Sequence, residues 1–579
     1  MVPNIQFNPH KRAVRLPLQA SGEVFFILLV KERYNVKYEE IVSKFSWDEI
    51  RAYYEGNPNG EMNIAFEMCD RWAINPKRVA IYWEDETGKK EVWTYKKLKE
   101  KSDRMANVLK SMGVKKEDCV AGLLGKDMEL VITILATFKI GAIFVPLFTA
   151  FGPDAIMHRL TDAGVSLLLT NKEQLNKLEG QNLPFDILLA DGTTKDGKTF
   201  WELVDSFSSQ HKMERTLGNA PAIIQYTSGT TGLPKGAISR HKTVYSLFPY
   251  WKFAMDLEED DIFYGGADLG WAFGLVACTI GPLTFGAKVI LYKGPFDVEK
   301  IYQILDEYQV TNFAYAPTAY RMMMALGAET LRKYRIKVRK LSSAGEPLDG
   351  EVVKFFKENL GRAIYDHYGA TELGMIVNNY NITNMEIKPG SMGLPLPGYN
   401  IALVDGEGNP VNRGEAGQIA LDISDDITGF GGYWKNPEKV KEKMLGNWFL
   451  SGDLAKQDEN GYFWFQGRAD DVISSAGYRI GPTEVEASLM EHPAVLEAAA
   501  VGKPDKTKGE IVKAFIVLNE NYEPSAALKE ELSLYVKNKL SKHQYPREIE
   551  FINEFPKTQS GKTQRYLLKK SEYEKYPKG

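Results

Sequence analysis

The chain has 579 residues, 44% of them hydrophobic and 26% charged, with a formal net charge of −4. That length exceeds one ordinary domain and holds about three or four core-sized units. The slightly acidic balance argues against a nucleic-acid-binding surface, and the scattered cysteines Cys69, Cys119 and Cys278, without a CxxC, argue against a disulfide framework or a zinc site. All three thiols are expected to be buried as small hydrophobes.

Reading from the N-terminus, residues 1–17 lack the apolar run and small-residue cleavage site of a secretory signal, and the apolar run 24–30 is too short to span a bilayer. A cytoplasmic protein without integral membrane association is expected. Over 95–113, Leu98, Met105, Leu109 and Met112 recur at helical spacing, and Gly113 suits the position just past a helix end. The stretch 130–148 is strongly apolar, but Lys139, Gly141 and Pro146 interrupt it. It reads as a buried helix followed by a strand, not as a membrane span. Apolar runs at 119–125 and 165–170 flank these elements, and 297–317 repeats the helix-then-strand pattern. Such alternation predicts a mostly parallel sheet with helices on its faces.

After about residue 390 the runs shorten and are broken by Gly, Pro and Asn, as in the hairpins of a smaller β subdomain. The tail reads as a compact mixture of helices and strands. The expected fold class is therefore α/β: a large N-terminal domain, 1–469, of parallel-sheet subdomains plus a small β subdomain, then a small α+β C-terminal domain, 470–579.

The stretch QYTSGTTGLPKGA, 225–237, gathers hydroxyls and glycines around one cation, Lys235, and contains no acid. A loop of this composition can wrap N–H and O–H donors around an anion, and a polyphosphate is the obvious guest. It is not the P-loop GxxxxGK[ST], because Pro234 stands at the sixth position counted from Gly229. The similar stretch at 556–563 fails the same test, with Pro556 in place of the first glycine.

Five further stretches follow in order: SSAGEPL (342–348), YDHYGATELG (365–374), WFLSGDLA (448–455), GRADDVISSAGYRIGPTEVE (467–486) and PKTQSGKTQR (556–565). With YTSGTTGLPKG they resemble the signature of the adenylate-forming superfamily, which comprises acyl- and aryl-CoA synthetases, luciferases and peptide-synthetase adenylation domains. The resemblance runs from about 45 to 570. YFWFQGR, HPAV, GEIVKAFI and the leading FSWDEI look most like AMP-forming acetyl-CoA and medium-chain acyl-CoA synthetases.

The resemblance implies a ligase that joins a small-molecule carboxylic acid to CoA through an acyl-adenylate, releasing AMP and diphosphate. ATP, Mg²⁺ and CoA are the implied cofactors. Two anions must meet, so cations and N–H dipoles have to stabilise the developing charge. By resemblance, Thr227, Ser228, Gly229, Thr230, Thr231, Gly232 and Lys235 hold the β/γ-phosphates. Thr371 contacts phosphate, and Glu372 ligates Mg²⁺, a hard cation suited to carboxylate oxygen. Gly345, Glu346, Pro347, Asp366, His367 and Tyr368 line the adenine pocket, while Asp453 and Arg468 hold the ribose. Lys562 bridges the carboxylate and the α-phosphate. For thioester formation the small domain is expected to rotate about Asp470, withdrawing Lys562 and bringing in Gly477 and Arg479. Lys537 stands where relatives place a cation for CoA.

The acyl pocket departs from the acetate enzymes. Gly369 replaces a Trp, Ala272 and Phe273 follow Trp271 in GWAFG, and Ala344 replaces a Val. Three positions become smaller and one aromatic, and each added methylene that is buried is worth roughly 0.8 kcal/mol. A medium-chain, branched, alicyclic or aromatic acid is expected in preference to acetate. No cation stands at these positions to pair with a second carboxylate. Alternatives are an acetyl- or propionyl-CoA synthetase, an enzyme loading a carrier-protein thiol, which the extended N-terminal segment and the absence of a carrier domain disfavour, an enzyme that oxidises its adenylate, and a non-catalytic nucleotide sensor, which the retained Lys562, Glu372 and Arg468 disfavour. A homodimer, and a lysine acetyltransferase and deacetylase acting on Lys562, are the further partners that this reading admits.

Overall fold

The computed structural model describes residues 36–227, 234–383, 385–469, 471–475, 478–505, 508–540, 544–557 and 563–576. The apolar run 24–30 therefore lies outside the described residues. Among those residues the strands form three sheets, of 14, 7 and 5 strands.

The elements expected from periodicity are present. Tyr95–Ser111 is a helix whose Leu98, Met105 and Leu109 are fully buried. The Thr94 side chain caps its start by accepting from the Lys97 N–H, and Gly113 leaves its end at φ +87°. Met128–Lys139 is the expected buried helix and Ile143–Pro146 the following strand. Lys139, fully buried, lies 2.9 Å from Asp70 and 2.6 Å from Asp103, which is how a cation is tolerated in that apolar stretch. Cys69, Cys119 and Cys278 are free and buried. No helix among the described residues is long and apolar enough to cross a membrane.

In the 7-stranded sheet the strands Asp186–Leu189, Val165–Thr170, Cys119–Leu123, Ile143–Pro146 and Pro221–Thr227 run parallel. Lys235–Arg240 and Phe430–Tyr433 close one edge in antiparallel fashion. In the 14-stranded sheet, Val79–Asp85, Lys288–Lys293, Ile262–Gly265, Asn312–Tyr315, Lys340–Ala344 and Ile364–Ala370 form a parallel block. The expected hairpin region continues the same hydrogen-bonded path through Gly374–Asn378 and Ser391–Pro395 to Phe463–Arg468, Trp448–Gln457, Ala416–Asp422 and Ile401–Val404.

The 5-stranded sheet is built on the antiparallel pair Val495–Asp505 and Gly509–Leu518. Helices Pro482–Met490 and Ala526–Lys539 pack their apolar side chains against it in one small core. Sheet membership changes between Arg468 and Ile473. Asp470, the expected hinge, lies between them and outside the described residues.

Candidate active site

Four neighbouring parallel strands end on one edge of the large sheet, at Gly265, Tyr315, Ala344 and Ala370. The crevice outside the carboxyl ends of such strands is where open α/β sheets bind ligands. The loops leaving three of these ends carry Trp271 to Phe273, Gly345 to Pro347, and Thr371 with Glu372.

The turn after Lys340–Ala344 starts at Gly345, whose φ of +100° a side chain would strain. Arg321, on helix Pro317–Ala325, clamps this turn. It donates to Glu346 Oε2 at 3.2 Å, the Pro347 carbonyl at 2.9 Å and Asp349 Oδ2 at 2.5 Å. The Thr318 hydroxyl donates to the same Glu346 oxygen at 2.8 Å. On the next strand, burial pushes the Asp366 carboxyl well above the usual carboxylate range. Its Oδ1 is closed to solvent and has no hydrogen-bond partner among the described residues. An orphaned acceptor in a half-buried cleft suits an amine donor such as that of adenine. His367, by contrast, turns into the core. Its Nδ1 meets the Tyr250 hydroxyl at 3.2 Å and its Nε2 the Asn379 carbonyl at 3.1 Å, so both ring nitrogens are already engaged.

Asp453 and Arg468 face each other across the antiparallel strands Trp448–Gln457 and Phe463–Arg468. The guanidinium donates to Asp453 Oδ1 at 3.1 Å and the Tyr368 hydroxyl donates to Oδ2 at 2.5 Å. Burial, and then the Asp453 charge, hold the Tyr368 phenol up in its neutral form. A carboxylate has about four acceptor positions, so two remain for vicinal hydroxyls.

Thr227 ends one strand and Lys235 begins the next, so the two flank the segment 228–233. Ser228, Gly229, Thr230, Thr231 and Gly232 lie outside the described residues, as do Gly477 and Lys562. Glu372 accepts from the Tyr433 hydroxyl at 2.6 Å, and Lys443 Nζ lies 3.5 Å from the same oxygen. Burial, and then the charges of Lys439 and Lys443, lower the Lys235 ammonium pKa. No group of three or more His, Cys, Asp or Glu side chains that could hold a metal occurs among the described residues. A single carboxylate beside ammonium groups fits a cation carried in on phosphate, because Mg²⁺ is usually held by one or two carboxylates plus substrate oxygens.

The loop expected to face the acid is anchored at Gly270. Its N–H donates to Asp268 Oδ1 at 2.7 Å, and its carbonyl accepts from Gln225 Nε2 at 2.9 Å, tying the loop to the strand that leads into 228–233. The Trp271 ring lies 5.4 Å from Phe148, and Phe273 opens a π-helix, Phe273–Ile280. Such segments occur often at functional sites. Ala272 caps that helix, and Ala344 is buried at its strand end. Lys126, which is not one of the expected pocket positions, donates to the Gly266 carbonyl at 2.8 Å and braces the start of this loop.

Gly369 differs from the expectation that it vacates the volume of an indole. A Cβ there would lie 2.3 Å from the Gly374 carbonyl oxygen and 2.7 Å from Met375 Sδ. The strand pair bulges between Tyr368 and Ala370, which turns position 369 against its own neighbouring strand. No side chain fits at 369 in this backbone, and Met375 takes the adjacent space.

Lys537 stands on helix Ala526–Lys539, its ammonium 5.3 Å from the centre of the Tyr545 ring. The backbone of Arg479 lies in strand Tyr478–Ile480, and its side chain is outside the described part. Sequence reasoning missed Tyr433, Lys443, Met375 and Arg321. None belongs to a quoted motif, although the lysine run around 435–443 is visible as a charge pattern.

The family model of the AMP-binding enzymes matches residues 69–434, and that of the AMP-binding enzyme C-terminal domain matches 484–562. An acetyl-coenzyme A synthetase of Bacillus subtilis (strain 168) is 39% identical over 553 residues, 93% of this chain and 95% of that protein. The mitochondrial acyl-coenzyme A synthetase ACSM3 of Rattus norvegicus is 35% identical over 530 residues, 88% of this chain and 90% of its own. The crystal structure of a Brucella canis acyl-CoA synthetase superposes with a TM-score of 0.73 at 41% identity, covering 93% of this chain and 99% of that one.

Proposed function

The chain belongs to the AMP-binding enzyme family and within it to the AMP-forming acyl-CoA synthetases, and from that premise we propose that it activates a carboxylic acid larger than acetate in the crevice at the strand ends. One observation carries the site assignment. Asp366, Asp453, Glu372 and the Thr227 to Lys235 hairpin, far apart in sequence, are linked through this crevice by the Tyr368–Asp453 and Tyr433–Glu372 bonds.

ATP and CoA are substrates of the family. In the proposed arrangement Asp366 accepts from the adenine amine and Asp453 from the ribose hydroxyls. Lys235 and the 228–233 loop grip the β/γ-phosphates, with Thr371 beside them. Glu372 would hold Mg²⁺, which when bound neutralises phosphate charge. Lys562 draws the acid's carboxylate toward the α-phosphorus. The carboxylate oxygen forms a bond to that phosphorus as the bond to pyrophosphate breaks, leaving the acyl group on AMP. Rotation at Asp470 then withdraws Lys562. Gly477 gives the pantetheine thiol a close path to the acyl carbonyl, while Arg479 and Lys537 hold the rest of the coenzyme. The thiolate displaces AMP, and the thiol proton leaves to solvent.

For the acid, Ala272, Ala344 and Phe273 support a pocket wider than that for acetate, apolar and bounded by an aromatic ring. A second reading, an acetyl- or propionyl-CoA synthetase, draws on the filled space beside Gly369. The deciding experiment is pyrophosphate release across straight acids from C2 to C10 with branched and aromatic acids. Medium or cyclic acids are expected to exceed acetate in kcat/KM. Acetate as the best substrate would establish the second reading. Phe273→Ala is expected to move the optimum toward larger acids, by about tenfold for two added methylenes at roughly 0.8 kcal/mol each.

A further inference from the structure

We propose that Lys443 is a pyrophosphate-binding residue, a cation for the β/γ end of ATP outside the loop that the sequence motifs assign. The inference rests on the reading of the crevice as an adenylation site. Lys443 Nζ is 3.5 Å from Glu372 Oε1, beyond an ordinary hydrogen bond, and Glu372 is its one polar partner among the described residues. An ammonium has three donors, and that carboxylate oxygen already receives the Tyr433 hydroxyl at 2.6 Å. Lys443 thus stands at the site with donor capacity in hand, its side chain 30% exposed.

The backbone holds it there. Trp434 N–H donates to the Gly236 carbonyl at 2.7 Å, so the segment that bears Lys443 departs from beside Lys235. Leu450 N–H donates to the Lys443 carbonyl at 2.8 Å, binding its far end to the strand that carries Asp453. Lys443 is therefore fixed between the phosphate hairpin and the ribose strand. Burial, and then the charges of Lys439 and Lys443, lower the Lys235 ammonium pKa, with Glu442 giving partial relief, so the three ammonium groups lie within electrostatic reach of one another. Like charges gathered at one end of a cleft favour a polyanion there. A solvated charge run explains Lys441, which is exposed and paired with Glu438 at 2.9 Å, but not an inward-facing Lys443.

The test uses the whole protein, Mg²⁺, inorganic pyrophosphate and AMP, with dissociation constants read by calorimetry. Lys443→Met is expected to weaken pyrophosphate binding about tenfold or more, the loss of one charged donor, and to leave AMP binding unchanged. Lys443→Arg is expected to restore pyrophosphate binding, and Lys441→Met to have no effect. Unchanged pyrophosphate binding in Lys443→Met, or equal loss of AMP and pyrophosphate, would overturn the proposal and leave Lys443 a structural partner of Glu372. Failure of the unaltered protein to bind AMP would instead overturn the adenylation reading, and the inference with it.

Discussion

The Tyr433 hydroxyl donates to Glu372 Oε1 at 2.6 Å, and this one bond joins two sheets. Tyr433 ends the edge strand of the 7-stranded sheet, while Glu372 follows the last parallel strand of the 14-stranded one. Burial, and then the Glu372 charge, push the Tyr433 phenol up, so the proton stays on the tyrosine and the hydroxyl remains the donor.

Tyr433→Phe removes that donor while keeping the ring. A hydrogen bond to a charged group contributes about 1.5–3 kcal/mol. Binding of ATP in the presence of Mg²⁺ is expected to weaken by about tenfold or more, with AMP binding unchanged. A magnesium titration of ATP affinity reads the effect. An unaltered dependence would mean that the bond only braces the two sheets.

Asp453→Asn leaves the shape of the strand Trp448–Gln457, proposed to hold the ribose, but removes the charge that Arg468 and Tyr368 both address. AMP affinity is expected to fall at least about tenfold, from losing charged acceptors worth about 1.5–3 kcal/mol each. Pyrophosphate affinity should stay within twofold by the same argument, since no phosphate contact is touched. Calorimetry with each ligand separates the two ends of the site.

Lys562→Ala is expected to abolish acyl-adenylate formation, by on the order of 10²-fold or more, and to spare thioester formation from supplied acyl-adenylate. Equal loss in both half-reactions would show that this lysine does not bridge carboxylate and α-phosphate. Acetylation of Lys562 removes the same charge and should reproduce the split.

Two buried histidines set a pH response in stability. Burial pulls His367 and His241 down to about 3, and His241 Nδ1 accepts the Ile64 N–H, which keeps that nitrogen unprotonated. The unfolded chain takes up these protons near pH 6.5 and the folded chain does not. Stability therefore falls as pH drops from about 6.5 toward 3, by up to about 1.4 kcal/mol per pH unit for each histidine. His241→Asn, whose amide oxygen replaces Nδ1 as acceptor, is expected to flatten the slope between pH 6 and 4 in urea-unfolding midpoints. An unchanged slope would assign the acid response to other groups.

The sequence by itself determined the alternation of helices and strands, the buried Met128–Lys139 helix and the motifs from which an adenylation site is proposed. These are legible because they depend on short-range periodicity and on motifs whose members stand within a few residues of one another. Only the tertiary structure decided which residues meet around the proposed site. Tyr368 meets Asp453 across 85 residues, and Glu372 meets Tyr433 across 61. Neither pairing has a local signature, because each is set by how strands from distant segments lie side by side. Gly369 makes the same point from the other direction. Its missing side chain reads as space along the chain, yet the bulged hairpin turns that position toward Gly374 and Met375. The direction a side chain points on an irregular strand is fixed by its cross-strand partner, and the partner is a property of the fold.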